Sequence, residues 1–232
     1  MLNPDKLKKD EQLLSQFIVK FFRNTGEFLA SRLEKTPLTP NMLSLIGIFL
    51  ACAASFLLAG GTYLRQLSGA LTAYIVLQLD FIDGALARRK NMATKFGDWL
   101  DAMGDEIREF LIIFGTAFGV YKATGNYLAW AAAFIMLGSD ALIMRSASRY
   151  YKTEDKRSHF DELGGAIKGN AFLSIAKEFI SVRVIKFAAL PIFAIFGSLL
   201  LYLEFFAVYE LAIALAIFFY FSFKVWHNQK RS

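Results

Sequence analysis

Apolar residues run almost unbroken over residues 42–60, close to the ~20 residues that a bilayer span requires. Five further apolar stretches follow, over residues 64–88, 96–121, 127–150, 171–197 and 200–225. Each is predicted to be a membrane-crossing helix, with acidic residues near one end of the second and third. Ahead of them, residues 7–35 show a different pattern. Leu13, Leu14, Phe17, Ile18, Phe21 and Phe22 recur at helical spacing, and Lys and Arg line the other side. That pattern predicts an amphipathic helix lying on the membrane surface. Residues 36–41, Thr-Pro-Leu-Thr-Pro-Asn, interrupt it. Pro40 suits the first turn of the next helix, where a missing N–H costs nothing. The expected fold is all-α and polytopic: an arm over residues 1–38 with the interfacial helix, then six transmembrane helices over residues 39–232.

Composition agrees with this reading. Of 232 residues, 56% are hydrophobic and 24 are Phe, too apolar for an ordinary soluble domain. Another 20% are charged, so the charge must be segregated, and any charge inside a span needs a reason. The net charge of +6 suits either nucleic acid or anionic lipid. Lys and Arg cluster between the apolar runs, which favours lipid, and no nucleic-acid motif is present. Arg89, Lys90 and Lys95 lie in one loop, and Lys152, Lys156 and Arg157 in another. Lys residues of the N-terminal arm, and Lys224, Lys230 and Arg231 of the tail, fall on the same side. Under the positive-inside rule, both termini are cytoplasmic. The lone cysteine, Cys52, sits in an apolar run and is expected to be a small buried hydrophobe.

The chemistry lies between Asp80 and Asp105, in DFIDGALARRKNMATKFGDWLDAMGD. Asp80 and Asp83 are three positions apart, Asp101 and Asp105 four, so each pair shares a helix face. Adjacent antiparallel helices would bring the four carboxylates together at the cytoplasmic end. Carboxylates that close repel, and burying them is costly unless a cation intervenes. An all-oxygen set suits a hard divalent ion, Mg²⁺ or Mn²⁺, and the lack of nearby His or Cys argues against zinc. Two ions about 4 Å apart are a known way of holding a phosphoryl-type transition state. Gly84, Ala87 and Gly97 leave room beside the acids, and Arg88 could neutralise a phosphate.

The run Asp80-x2-Asp83-Gly84-x2-Ala87-Arg88-x8-Gly97-x3-Asp101-x3-Asp105 resembles the signature of the CDP-alcohol phosphotransferases at every specified position. The six-helix pattern with its leading amphipathic helix, and the Thr39-Pro40-Asn41 entry to the first span, are similar to that family as well. The resemblance implies that Asp80, Asp83 and Asp101 ligate the metals. It implies that Asp105 is the general base and perhaps a further ligand. Asp83, Gly84, Ala87 and Gly97, together with Asn41 and Arg88, would hold the CDP moiety. The implied reaction moves a phosphatidyl-type group from a CDP-linked lipid or alcohol to an acceptor alcohol and releases CMP, in a homodimer.

The acceptor must be read outside the signature. Arg145 and Arg149 are spaced i, i+4, and Arg183 and Lys186 i, i+3. Arg145, Arg149 and Arg183 could bind an anionic acceptor such as a polyol phosphate, or the first two could reach to lipid headgroups. The pattern loosely resembles the inositol-phosphate-using members. Glu106, Arg108 and Glu109 are expected to pair internally, although Arg108 could face the site. Glu204 and Glu210 have no assigned role. Two rivals remain. An aspartate-rich intramembrane prenyltransferase would place its acidic motifs far apart in the chain, and a cation transporter would show a repeat; neither feature is present.

Overall fold

The computed structural model describes residues 4–153 and 170–229. Lys156, Arg157, His159, Lys230 and Arg231 therefore lie outside the described residues. Among those described the chain is entirely helical: α1 (Pro4–Leu33), α2 (Pro40–Leu58), α3 (Tyr63–Lys90), α4 (Lys95–Thr124), α5 (Leu128–Thr153), α6 (Asn170–Ile195) and α7 (Leu199–Gln229). Each expected helix is present, with ends that differ by a few residues. Among the described residues four segments are long and apolar enough to cross a membrane: α2, α3, Leu128–Ser146 of α5 and Leu199–His227 of α7. Any stretch of α4 long enough to span still carries at least three charges, such as Arg108, Glu109 and Lys122 in residues 107–124, so composition alone does not mark it.

Local chemistry sets the helix ends. Thr39 caps α2 by accepting a hydrogen bond from the Met42 N–H at 3.3 Å, with Pro40 in the first turn. Thr94 does the same for α4, accepting from the Gly97 N–H at 3.0 Å. Asn91 ends α3 in the left-handed conformation, φ 53°, which Asn tolerates better than most residues.

The main packing relationship is a wedge. Helix α2 runs against both α3 and α4, while α3 and α4 touch each other over only a short stretch. Glycines permit the close approach. A Cβ at Gly119 would stand 1.9 Å from the Leu58 carbonyl oxygen, and one at Gly115 2.5 Å from that of Ser55. Gly69 of α3 meets Leu58 and Ala54 in the same way. Small residues four apart are the usual means of close helix contact in lipid. Helix α1 lies across α3: Thr25 Oγ1 donates to Gln78 Oε1 at 2.9 Å, and Phe22 packs on Tyr74 and Phe81.

The exterior is apolar like the core, and several charged side chains are buried. Phe49, Phe56, Phe134, Val208 and Phe219 are among the most exposed side chains, whereas Asp83, Arg108, Glu109, Asp140, Lys186 and Glu210 are buried. An apolar exterior this extensive fits lipid rather than water. Cys52 is exposed, contrary to expectation. In a membrane helix the outward face is as apolar as the inward one, so an apolar run does not imply burial.

Candidate active site

The carboxyl-terminal end of α3 and the amino-terminal end of α4 are joined by residues 91–94 alone. This short connection holds the two acidic pairs near each other. Asp80, Asp101 and Asp105 each offer a carboxylate oxygen, and these oxygens lie within 4.8 Å of one another. Arg108, one turn beyond Asp105, reaches back among them. Its Nη2 donates to Asp80 Oδ1 at 2.6 Å and to Asp105 Oδ1, and lies 3.7 Å from Asp101 Oδ1. Gly47 of α2 and Gly104 of α4 leave the space for it; a Cβ at Gly47 would sit 3.0 Å from Arg108 Nη1.

Asp83 is not among the three whose oxygens converge. Its Oδ2 accepts a hydrogen bond from Ser44 Oγ of α2 at 2.9 Å, and the residue is buried. Asp80 and Asp83 are not equivalent on their shared face: Asp83 bonds to Ser44 of α2, and Asp80 to Arg108 of α4. The other expected nucleotide contacts gather nearby. A Cβ at Gly97 would lie 3.2 Å from Asn41 Oδ1, so the first turns of α2 and α4 adjoin. At Gly84 an added Cβ would meet only Arg88 Nη1, at 3.7 Å. Ala87 is half-buried. Arg88 is largely exposed and donates to Glu27 Oε1 of α1 at 2.9 Å. Arg89 takes the other oxygen of Glu27 at 3.2 Å. The Arg88 guanidinium holds the Glu27 carboxyl below the usual carboxylate range.

Of the three cations expected to bind an acceptor, the structure brings Arg183 to the aspartates. Its Nη1 donates to Asp105 Oδ2 at 3.0 Å and its Nη2 to Glu106 Oε1 at 2.9 Å. Asp80, Asp105, Arg108 and Arg183 line a cleft whose apolar wall includes Val76 and Phe187. Arg145 and Arg149 are exposed near the end of α5, and neither lines this cleft. Arg108, expected to pair internally, with the site as its alternative place, does both. The partner of Asp83, Ser44, was not foreseen. Nor was Asp140, which is buried with Glu109, Lys186 and Glu210. An acid in the middle of an apolar run was the available signal.

The aspartate group fits a divalent cation on its donor chemistry. Three carboxylates on two helices converge, and Asp101 Oδ1 is buried without a hydrogen-bond partner. Hard oxygen donors of this kind suit Mg²⁺ or Mn²⁺. A cleft lined by two of these carboxylates and by the Arg108 and Arg183 guanidiniums can take a metal-bound phosphate ester.

The sequence profile of the CDP-alcohol phosphatidyltransferase family matches residues 37–222. An uncharacterised protein of Aquifex aeolicus is 35% identical over 135 residues, covering 54% of this chain and 64% of that protein. The archaetidylinositol phosphate synthase of Pyrococcus horikoshii is 30% identical over 124 residues, covering 53% of this chain and 61% of the synthase. The matches thus span a little over three fifths of these relatives' own length. The crystal structure of the Mycobacterium tuberculosis phosphatidylinositol phosphate synthase with CDP-DAG bound superposes with a TM-score of 0.60 at 20% identity. That superposition covers 82% of this chain and 90% of the synthase, and it shows a shared fold. The profile takes in α2 to α6 and most of α7, and with them both helices that carry the aspartates, so the chain belongs to the CDP-alcohol phosphatidyltransferase family.

Proposed function

We propose that this protein transfers a phosphatidyl-type group from a CDP-linked lipid to the hydroxyl of a small polar acceptor and releases CMP. The observation that carries this reading is the convergence of Asp80, Asp101 and Asp105, of which Asp80 and Asp105 line one cleft with Arg183. The family membership supports the reaction class, and the names of the synthases reported above favour a phosphorylated inositol as acceptor.

Asp80, Asp83 and Asp101 would hold the metal, and Asp105, whose oxygen converges with those of Asp80 and Asp101, would act chiefly as base and could add a further ligand oxygen. A bound divalent cation would supply positive charge to the diphosphate and the developing charge on CMP. The acceptor hydroxyl oxygen attacks the phosphorus distal to cytidine, and its proton passes to the Asp105 carboxylate. The bond from that phosphorus to the CMP oxygen breaks, giving a phosphodiester and CMP. Asn41, Gly84, Ala87, Arg88 and Gly97 form the nucleotide side of the site. Arg183 faces the acceptor and could pair with its phosphate; Arg145 and Arg149 belong to the entrance or to lipid headgroups.

The same reading completes the topology. Helices α4 and α6 are the remaining two spans, because the charges of α4 and α6 turn inward on each other, as in the pairing of Arg183 with Asp105 and Glu106. Helix α1 lies at the membrane surface, where Phe17, Phe21 and Phe28 remain exposed. Residues 1–38 then form the arm and 39–232 the catalytic domain, working as a homodimer with both termini and the active site on the cytoplasmic side. The test is mass spectrometry of products from purified protein, CDP-diacylglycerol and Mg²⁺ or Mn²⁺ with inositol phosphate, glycerol phosphate, serine or inositol. A new lipid phosphodiester with a polyol phosphate is expected. Consumption of a prenyl diphosphate instead would refute the reading.

A further inference from the structure

A second cluster of charged side chains lies inside the bundle, and the reaction as derived makes no use of it. Lys186 is 1% exposed, Glu210 1%, Glu109 3% and Asp140 8%. They come from four helices: α6, α7, α4 and α5. Lys186 Nζ donates to Glu109 Oε1, lies 2.5 Å from Glu210 Oε1, and donates to Asp140 Oδ2 at 3.5 Å. The three carboxylates are close enough together to hold a metal ion. The Lys186 ammonium already contacts all three, so the cluster contains its own cation.

Glu109 also looks the other way. Its Oε2 lies 2.8 Å from Arg183 Nε, a charge contact whose N–H is not aligned for a hydrogen bond. Asp105, Glu106 and Glu109 therefore surround one guanidinium from a single stretch of α4, at positions i, i+1 and i+4. The three contacts differ in their access to water. Glu106 is half exposed and Asp105 about a quarter, but the Glu109 side chain is 4% exposed. Water and an incoming anion compete for the first two contacts; the third stays dry, where charge attraction is least screened.

We propose that Glu109 is a positioning residue for the transfer reaction: pinned by Lys186, it fixes the Arg183 guanidinium in the cleft against Asp105. The Nη edge of Arg183 can then exchange its partners for an acceptor while the Nε edge stays anchored. This rests on the reading of Asp105 as base and Arg183 as the acceptor contact. Asp140 and Glu210 act one step further away, as counter-ions of Lys186.

The test compares Glu109→Gln with Glu210→Gln. Each removes one charge from the same buried cluster and leaves Lys186 two carboxylates; only the first removes the anchor of Arg183. In CMP-release kinetics with CDP-diacylglycerol and inositol phosphate, Glu109→Gln should raise the KM for inositol phosphate. The expected rise is about 10- to 100-fold, as for loss of an outer partner of a site residue, with the KM for CDP-diacylglycerol unchanged. Glu210→Gln should leave the acceptor KM where it was, whatever it does to Tm. Glu109→Asp keeps the charge but draws it back, and should give a smaller rise in the same KM. It carries the comparison if Glu109→Gln does not fold. Equal effects of Glu109→Gln and Glu210→Gln, or parallel losses for both substrates, would overturn the proposal and leave the cluster as structural pairing. Wild-type protein that releases no CMP in this assay would overturn the functional reading and the proposal together. Active wild type with an unchanged acceptor KM in both Glu109 variants would overturn the proposal alone.

Discussion

Arg108 Nη2 of α4 lies 2.6 Å from Asp80 Oδ1 of α3, so the two helices that carry the acidic motif are tied by an ion pair within the aspartate group itself. The same nitrogen serves Asp105 and lies near Asp101. Arg108 is thus a resident counter-charge for three carboxylates that would otherwise repel. Arg108→Gln should lower stability in the presence of a chelator by about 1.5–3 kcal/mol, the range for hydrogen bonds to charged groups. The partial exposure of the aspartates keeps the loss from being larger. Mg²⁺ or Mn²⁺ should restore much of the lost Tm in the variant and do less for wild type. Equal stabilisation of both by metal would argue that Arg108 plays no such role.

Asp101 and Asp105 are one turn apart, yet they are assigned different work. Asp105→Asn removes the proton acceptor and should lower kcat by about 10²–10⁴-fold, while metal-dependent binding of CDP-diacylglycerol is largely kept. Asp101→Asn removes a ligand and should weaken that binding. Titration calorimetry with CDP-diacylglycerol in detergent separates the two, and equal loss of binding in both variants would refute the division of roles.

The wedge of α2 between α3 and α4 depends on backbone contact at Gly119. Gly119→Ala would put a methyl group onto the Leu58 carbonyl and should cost about 1–3 kcal/mol, as overpacking does, read as a lowered Tm in detergent. Gly138 of α5 is the control, because a Cβ there would meet nothing within 4 Å. Gly138→Ala should be neutral, or stabilising by up to about 1 kcal/mol through helix propensity.

Helix positions were legible because a bilayer demands long apolar runs, and Thr39 and Pro40 marked the start of α2. The convergence of Asp80, Asp101 and Asp105 was legible too, from i+3 and i+4 spacing on either side of a short connection. What the sequence concealed was tertiary. No local pattern places α2 over Asp83 or pairs it with Ser44, 39 residues away. Cys52 faces outward because apolar residues in lipid need not face a core. The Lys186 cluster draws one charge from each of four helices, so no window along the chain contains it.

Glu27 links α1 to the signature through Arg88 and Arg89. All three side chains are well exposed, and such pairs contribute at most about 1 kcal/mol. Glu27→Gln should therefore lower Tm only slightly at neutral pH, and the difference should vanish in high salt. The direction with pH follows from the lowered Glu27 value. The contact is complete above the unfolded carboxylate value of 4.5 and is lost as pH falls through the lower folded one. Variant and wild type should therefore converge in acid; a gap that widened there would contradict this account of the pair.

The central claim is that the aspartate group transfers a lipid phosphate to an acceptor with release of CMP. Its most direct test is ³¹P NMR of a single reaction containing purified protein, CDP-diacylglycerol, inositol phosphate and Mg²⁺. The account predicts CMP and a new phosphodiester appearing in equal amounts, both abolished by chelator and by Asp105→Asn. CMP appearing with phosphatidic acid and no phosphodiester, at a rate indifferent to every acceptor in the panel, would contradict it.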